Sequence, residues 1–431
     1  MSKFQFILTG VFAFFILAGV LAFALTGRSG EQKTTILVWG SIPESVFNSE
    51  IGDLPVAKDK TLGISYLYKK EEDFDREFVE ALAAGVGPDV VILAQDAILK
   101  HRNKLLLVPF ESYSERLFKD TFVEEGEIFL EPTGLIALPF LIDPLVMYWN
   151  RDIFSGASLS QPPKYWDEFY TLSKDLTRKD ASFNLIRATI ALGEYENITN
   201  AKEIISTLIF QAGNTDIVRR QGNTYTVTLG DHYGYDVNPV YSAINFFTEF
   251  SNPTKAHYSW NRSLPPSQTM FLSGDLATYF GFASEAKAIR LKNPNLNFDV
   301  APMPQSRIAD KVITFGKMQA FAVTRSTKNL NASFKLISAI SSADAVTKFS
   351  NATGLPSVRR DVAAIGSTDG FMALFFKSAI WSKGWLDPDR DKTSLIFKEM
   401  IESITGGRVR TEDAVSRAGA EITKLLPAVK E

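Results

Sequence analysis

The run at residues 134–154, GLIALPFLIDPLVMYWNRDIF, most narrows what this chain can fold into, because two short apolar runs flank a Pro-Phe-Leu-Ile-Asp-Pro break. Residues 135–138 and 146–149 are rich in strand-forming side chains and too short for helices. Pro139 and Pro144 push the residues before them toward extended geometry. The pattern predicts strand, bend, strand, with a bend able to carry the chain from one lobe to another. Asp143 is left as a lone carboxylate between hydrophobic runs. A buried unpaired carboxylate is costly, so Asp143 is expected to face a cleft or a ligand.

The surrounding chain reads as α/β of the open-sheet kind. Strands expected at 35–39, 63–68 and 89–93 alternate with a helix at 72–84, where Phe74, Phe78 and Leu82 recur every four residues on one face. That βαβ order implies a parallel sheet covered by helices. Gly85, Gly87 and Pro88 end the helix. Further on, Asn200 and Glu203 predict a capping box opening a helix with Ile204, Ile205, Leu208 and Ile209 in its apolar stripe. Asn238-Pro239 opens another helix, with proline at its first position. Residues 217–229 read as a hairpin around Gln221-Gly222-Asn223.

Composition excludes several functions. A chain of 431 residues with a net charge of -3 and no long basic run is not an electrostatic nucleic-acid binder. The absence of cysteine removes disulfides, thiolate metal sites and cysteine nucleophiles together. His101, His232 and His257 form no zinc-binding spacing, and neither a nucleophile elbow nor a phosphate loop is present. No metal, cofactor or catalytic residue is expected. Asp96 and Asp143 as a glycosidase pair is the minor enzymatic alternative. Residues 4–25 carry no charge and are long enough to cross a bilayer, and Lys3 marks the cytoplasmic side. Ala22-Phe23-Ala24 suits signal peptidase, so both an uncleaved anchor and an exported, cleaved form stay open. Residues 26–33 form a polar tether.

Several blocks then occur in one order: GPDVVILAQDAILKHRNKLLLVPF from Gly87, PPKYWDEFYTLSKDLT from Pro162, MFLSGDLATYFG from Met270, FDVAPMP from Phe298 and TGLPSVRRD from Thr353. With the run at 134–154, this series resembles the family 1 extracellular solute-binding proteins, the maltose-binding-protein-like receptors of ABC importers. The resemblance covers nearly everything after residue 34. It implies a two-lobed periplasmic-binding-protein-like fold of type II, each lobe a mixed, mostly parallel sheet flanked by helices. Crossings between lobes are expected near Asp143, at Phe315-Gly316-Lys317 and after Gly354-Leu355-Pro356. The corresponding division is 1–33 anchor and tether, 34–142 plus 314–356 lobe I, and 143–313 plus 357–431 lobe II. The implied function is capture of a sugar or oligosaccharide by hinge closure and delivery to permease subunits, by a monomer on the extracytoplasmic side of the membrane. The rival readings are a receptor for a peptide, polyamine or metal ion, and a surface glycan hydrolase or adhesion module.

A sugar site needs aromatic platforms and planar polar groups. In open α/β sheets ligands lie beyond the carboxyl ends of strands, which selects Trp39 and Ser41 after the first strand and Gln95 and Asp96 after the third. The resemblance places Asp96 and Asp143 where family members hold sugar hydroxyls, and Glu194 and Tyr195 at a second-lobe pair combining a hydrogen bond with stacking. Phe280 and Phe282 fall where a stacking tryptophan is common, and Leu93 stands where the family has a platform. Trp260, in a polar loop, and Trp381 or Trp385, around Lys383-Gly384, complete the candidates. Trp39, Trp381 and Trp385 are open to either cleft or core.

Overall fold

The computed structural model describes residues 33–427 together with Ile16. The proline-interrupted run is one continuous strand, Leu138–Asn150, and not two strands around a bend. Proline removes a single amide donor and keeps its carbonyl, so each ring costs at most one ladder bond. Pro139 sits beside a register shift at Gln319/Ala320, which absorbs the break. The Pro144 carbonyl still accepts from Ala283 N at 3.0 Å.

This strand lies near the middle of a mixed ten-stranded sheet. On one side the order runs outward through Thr314–Val323, Val90–Ala94, Thr34–Gly40 and Leu62–Tyr68; on the other, through Leu276–Phe282, Leu185–Ile190 and Arg178–Lys179. The three N-terminal strands are parallel, as the βαβ pattern requires. The long strand is antiparallel to both of its main neighbours. Its first half, through Pro144, pairs with Gly316–Phe321, and its second half, from Leu145, pairs with Thr278–Phe282. Strand Thr314–Val323 makes the reverse change, meeting Ser382–Lys383 at its start and Val90–Ala94 at its end. Gly316 permits this close approach, since a Cβ there would lie 2.4 Å from the Ser382 Cβ.

The hydrophobic interior follows the same division. Phe140, Leu141 and Ile142 pack into one core with Ile36, Phe78 and Phe349. Leu145 to Trp149 pack into a second, with Trp166, Trp260 and Phe397. Two lobes, each with its own core, are therefore joined by strands that leave one core and enter the other at Asp143-Pro144 and near Phe315. The third crossing comes later than the expected position at Pro356: Val358 is in the first core, and its carbonyl accepts from Val123 N at 2.9 Å. The second core is rejoined by helix Gly370–Ile380 through Phe375.

Local signals were read with mixed accuracy. The hairpin forms from Val218–Gln221 and Thr224–Val227, turning through Gly222 at φ +60. Helix Pro239–Glu249 is capped by Asn238, whose side chain accepts from Val240 N at 2.8 Å and donates to Leu229 O at 3.1 Å. Asn238→Ala is therefore expected to cost roughly 1–2 kcal/mol, measured as a lower urea midpoint with an unchanged slope. The capping box at Asn200 does not form. Asn200 is left-handed, at φ +60, and its side chain donates across to Phe280 O and the Glu285 carboxylate instead. Among the described residues no helix is long and apolar enough to cross a membrane. Apart from Ile16, the apolar segment at 4–25 lies outside the described residues.

Candidate functional site

The seam between the two cores is built from strand ends. Helix Gln95–His101 begins directly where strand Val90–Ala94 stops, so Gln95 and Asp96 are delivered at the carboxyl end of the sheet. Asp96 lines a cavity of about 330 Å³, faced from the second lobe by Tyr195, Lys202, Glu203 and Arg390 and bounded by Lys317 of the crossing strand. Asp96 is 9 % exposed, and its Oδ1 has no hydrogen-bond partner. A smaller hollow sharing Lys317 and Arg390 is lined by Ser41, Glu71 and Asp75.

Ion pairs cross the seam. Glu71 Oε1 accepts from Lys317 Nζ at 3.0 Å and from Arg390 Nη1 at 3.1 Å, tying the first lobe to the crossing strand and to the second lobe. Burial works to raise the Glu71 carboxyl, but the two cations outweigh it and hold it below the usual range. Lys100 bridges Asp75 at 2.8 Å and Asp389 at 3.3 Å. On the second-lobe wall, Lys202 Nζ donates to Asp387 at 2.8 Å, Arg390 O at 3.1 Å and Thr393 Oγ1 at 3.3 Å, which uses all three of its hydrogens. Burial pushes the Lys202 ammonium toward neutrality, and the surrounding carboxylates reverse that and keep it charged.

The aromatic candidates lie elsewhere. Trp260 is fully buried, with Nε1 donating to Asn197 Oδ1 at 3.1 Å, so its polar loop folds inward and offers no ring face. Phe280 packs in the second core, 5.2 Å from Trp166 between ring centroids. Phe282 is also in that core, next to Phe315 and beneath the Lys317 ammonium. Trp385 is buried and stacked on Phe397. Trp39 is buried edge-on to Phe74, and Lys69 Nζ sits 4.0 Å over its ring. Trp381 is partly exposed and lines two other hollows, away from Asp96. In every case but Trp381, ordinary hydrophobic burial has claimed a ring that a sugar site would need free.

Among the polar candidates, Gln95 is wholly buried and spent on the crossing strand. Its Nε2 donates to Gly316 O at 2.8 Å and its Oε1 accepts from Met318 N. Glu194 is directed to Arg262 Nη2 at 3.2 Å and does not line the cavity. Asp143 accepts from Ser284 N at 3.0 Å and lies opposite Lys317 in the ladder. Burial pushes its carboxyl up to about 7. The seam thus brings together Asp96, Tyr195 and, through the smaller hollow, Ser41. Sequence reading missed Glu71, Lys202, Lys317 as a wall, and Arg390. Lys317 sits inside the expected second crossing, which was the one available signal. The other three are charged residues at helix starts, where a solvated face is the ordinary outcome.

A second contact across the seam has a pH signature. Glu125, beside the first core, accepts from Gly384 N at 2.6 Å, and burial pushes its carboxyl from 4.5 up to about 8. A carboxyl that holds its proton more tightly when folded stabilises most below its unfolded pKa, and the benefit is lost as pH rises through the folded value. Stability is therefore expected to fall between about pH 5 and pH 8. Urea midpoints across that range should decline, and Glu125→Gln should reduce the decline, leaving the share of Asp143, whose carboxyl is raised in the same direction.

Two α/β lobes, strands that pass from one core to the other and a polar cavity at their junction define the class of two-lobed solute receptors. The chain belongs to the bacterial extracellular solute-binding protein family, whose model matches residues 58–373. It is 21% identical over 360 residues to a binding protein of Brucella abortus (strain 2308), covering 81% of each chain. It is 20% identical over 312 residues to the diacetylchitobiose binding protein DasA of Streptomyces coelicolor, covering 72% of this chain and 69% of that one. A cyclo/maltodextrin-binding protein complexed with maltotetraose shares the fold with a TM-score of 0.73 at 16% identity, over 94% of this chain and all of that one.

Proposed function

We propose that this chain is the extracytoplasmic receptor of an ABC importer, holding a sugar between its lobes and presenting it to a permease. The observation that carries the reading is the cavity at the junction of the two cores, walled by Asp96 from one lobe, Tyr195 and Arg390 from the other and Lys317 from the strand between. A solute touching both walls favours the closed arrangement by its differential affinity for that state. No bond need be broken, and binding without turnover is the proposed outcome. The permease would be a pair of membrane subunits recognising the closed outer faces, driven by an ATPase across the membrane, and the receptor would act as a monomer.

The lobes in this reading are 34–142 with 314 onward, and 143–313 with the C-terminal helices. The third boundary is set after Ile365, the end of the last helix before Gly370–Ile380. Residues 4–25 would anchor the receptor in the cell membrane or direct its export; N-terminal sequencing of the mature protein separates the two. Ser41, Asp96 and Tyr195, with Lys317 and Arg390, are the proposed ligand contacts. Asp143 is proposed to tune the hinge.

Thermal-shift measurement of the purified chain against sugars, peptides, polyamines and metal ions tests this. A sugar at a hundred times its Kd should add about 2.7 kcal/mol to native-state stability, and scattering should show a smaller radius of gyration. Stabilisation by peptides alone, or hydrolysis of a chromogenic glycoside, would reject the sugar-receptor reading.

A further inference from the structure

The seam has the position of a sugar cleft without the surfaces a neutral oligosaccharide uses. Tyr195 is the single aromatic residue on the wall of the Asp96 cavity, and its hydroxyl is already bonded to Ser394 Oγ at 2.8 Å. The lining is charged instead: the acids Asp96, Glu196, Glu203 and Asp391 against the bases Lys202, Lys317 and Arg390. Each base already has a carboxylate that is outside this lining, Asp387 for Lys202 and Glu71 for the other two. The acids are less well matched. Glu196 reaches Lys398, and Asp391 is 4.0 Å from Lys100. Glu203 has no ion-pair partner among the described residues. Asp96 presents a buried oxygen with no partner at all.

A buried carboxylate oxygen left without a donor is expensive, and Lys202, Lys317 and Arg390, which face Asp96 and act on its charge, leave its Oδ1 without a hydrogen bond. Lys317 uses one of its three hydrogens on Glu71, which leaves donors for hydroxyl oxygens beside that position. The volume of about 330 Å³ lies at the small end of ligand sites, roughly 300–1,000 Å³, and suits one or two sugar rings. We propose that the solute is an amine-bearing sugar of one or two rings, its ammonium bonded to Asp96 and its hydroxyls held by Lys317 and Arg390. This inference rests on the receptor reading and narrows its substrate class. A carboxylated sugar would meet Asp96 and Glu203 with like charge, and a longer neutral chain would find little room and a single ring, Tyr195, to stack on.

Isothermal titration of the full chain with glucosamine, galactosamine, mannosamine and the glucosamine disaccharide, against glucose, glucuronate, maltotriose and putrescine, decides it. At least one amino sugar should bind ten-fold or more tightly than each of the others. Asp96→Asn, checked for folding by circular dichroism, should weaken that binding at least ten-fold, and Glu203→Gln supplies a second variant should the first not fold. Preference for glucose, glucuronate or maltotriose would overturn the amine assignment while leaving a sugar receptor. Preference for putrescine, or no binding by any sugar, would overturn both.

Discussion

Lys202→Ala should lower the unfolding free energy by about 3–5 kcal/mol, the cost of leaving a buried charge without its partner. Lys202 and Asp387 are both almost fully buried, 2.8 Å apart, on the wall behind the proposed ligand. Without the ammonium, Asp387 keeps only the Thr393 hydroxyl and the Asp389 amide as hydrogen-bond donors. Its negative charge then has no counter-charge in a region poor in water. The pair as a whole need not be strongly stabilising, because two charges have been taken out of water to make it. Lys202→Met combined with Asp387→Leu is therefore expected to recover most of the loss. Urea unfolding of wild type, both single variants and the double variant provides the cycle. A cost below about 1 kcal/mol, the range of exposed pairs, would mean that solvent reaches Asp387.

Phe140→Ala should cost a similar amount, about 3–5 kcal/mol, for a different reason. Phe140 is fully buried in the first core, with its ring centroid 4.6 Å from that of Phe321 and 5.1 Å from that of Phe349. It stands on the long strand just before the change of core, so the cavity would open beside the hinge. Loss of the ring removes both transfer energy and close packing, and neighbours anchored in a central sheet relax little. Denaturation with lobe-specific probes should show the first core melting earlier while the second, built on Leu145 to Trp149, persists. Simultaneous loss of both cores would mean that the lobes unfold as one unit.

The βαβ order of the first strands, the helix stripe of Phe74 and Phe78 and the strand character of the run at 134–154 were legible, because short β-rich apolar runs and an apolar repeat near four are set within a few residues. The bend expected at Pro139 and Pro144 was not there. Local proline rules register a lost donor, whereas the ladder on either side, with a bulge at Gln319/Ala320, decides whether the strand continues. Asn200 shows the same limit at a helix end: the capping pattern was present, yet Glu285 and Phe280 O, about eighty residues away, captured the side chain. For the site, a tryptophan in a polar loop looks exposed in sequence, and Trp260 is wholly interior because Asn197 folds over to accept its indole N–H.

What the amino-acid order determined alone is the α/β character of the chain and the carboxylate that follows the third strand. These follow from side-chain polarity at neighbouring positions. Only the tertiary structure decided that the seam is walled by Glu71, Lys202, Lys317 and Arg390, with Tyr195 as the single aromatic residue on the wall of the Asp96 cavity. Ion pairs such as Glu71 with Arg390 join residues more than three hundred positions apart. Their formation depends on which carboxylates the two lobes bring within about 3 Å of each cation, where low dielectric makes the attraction decisive, and no local pattern encodes that distance.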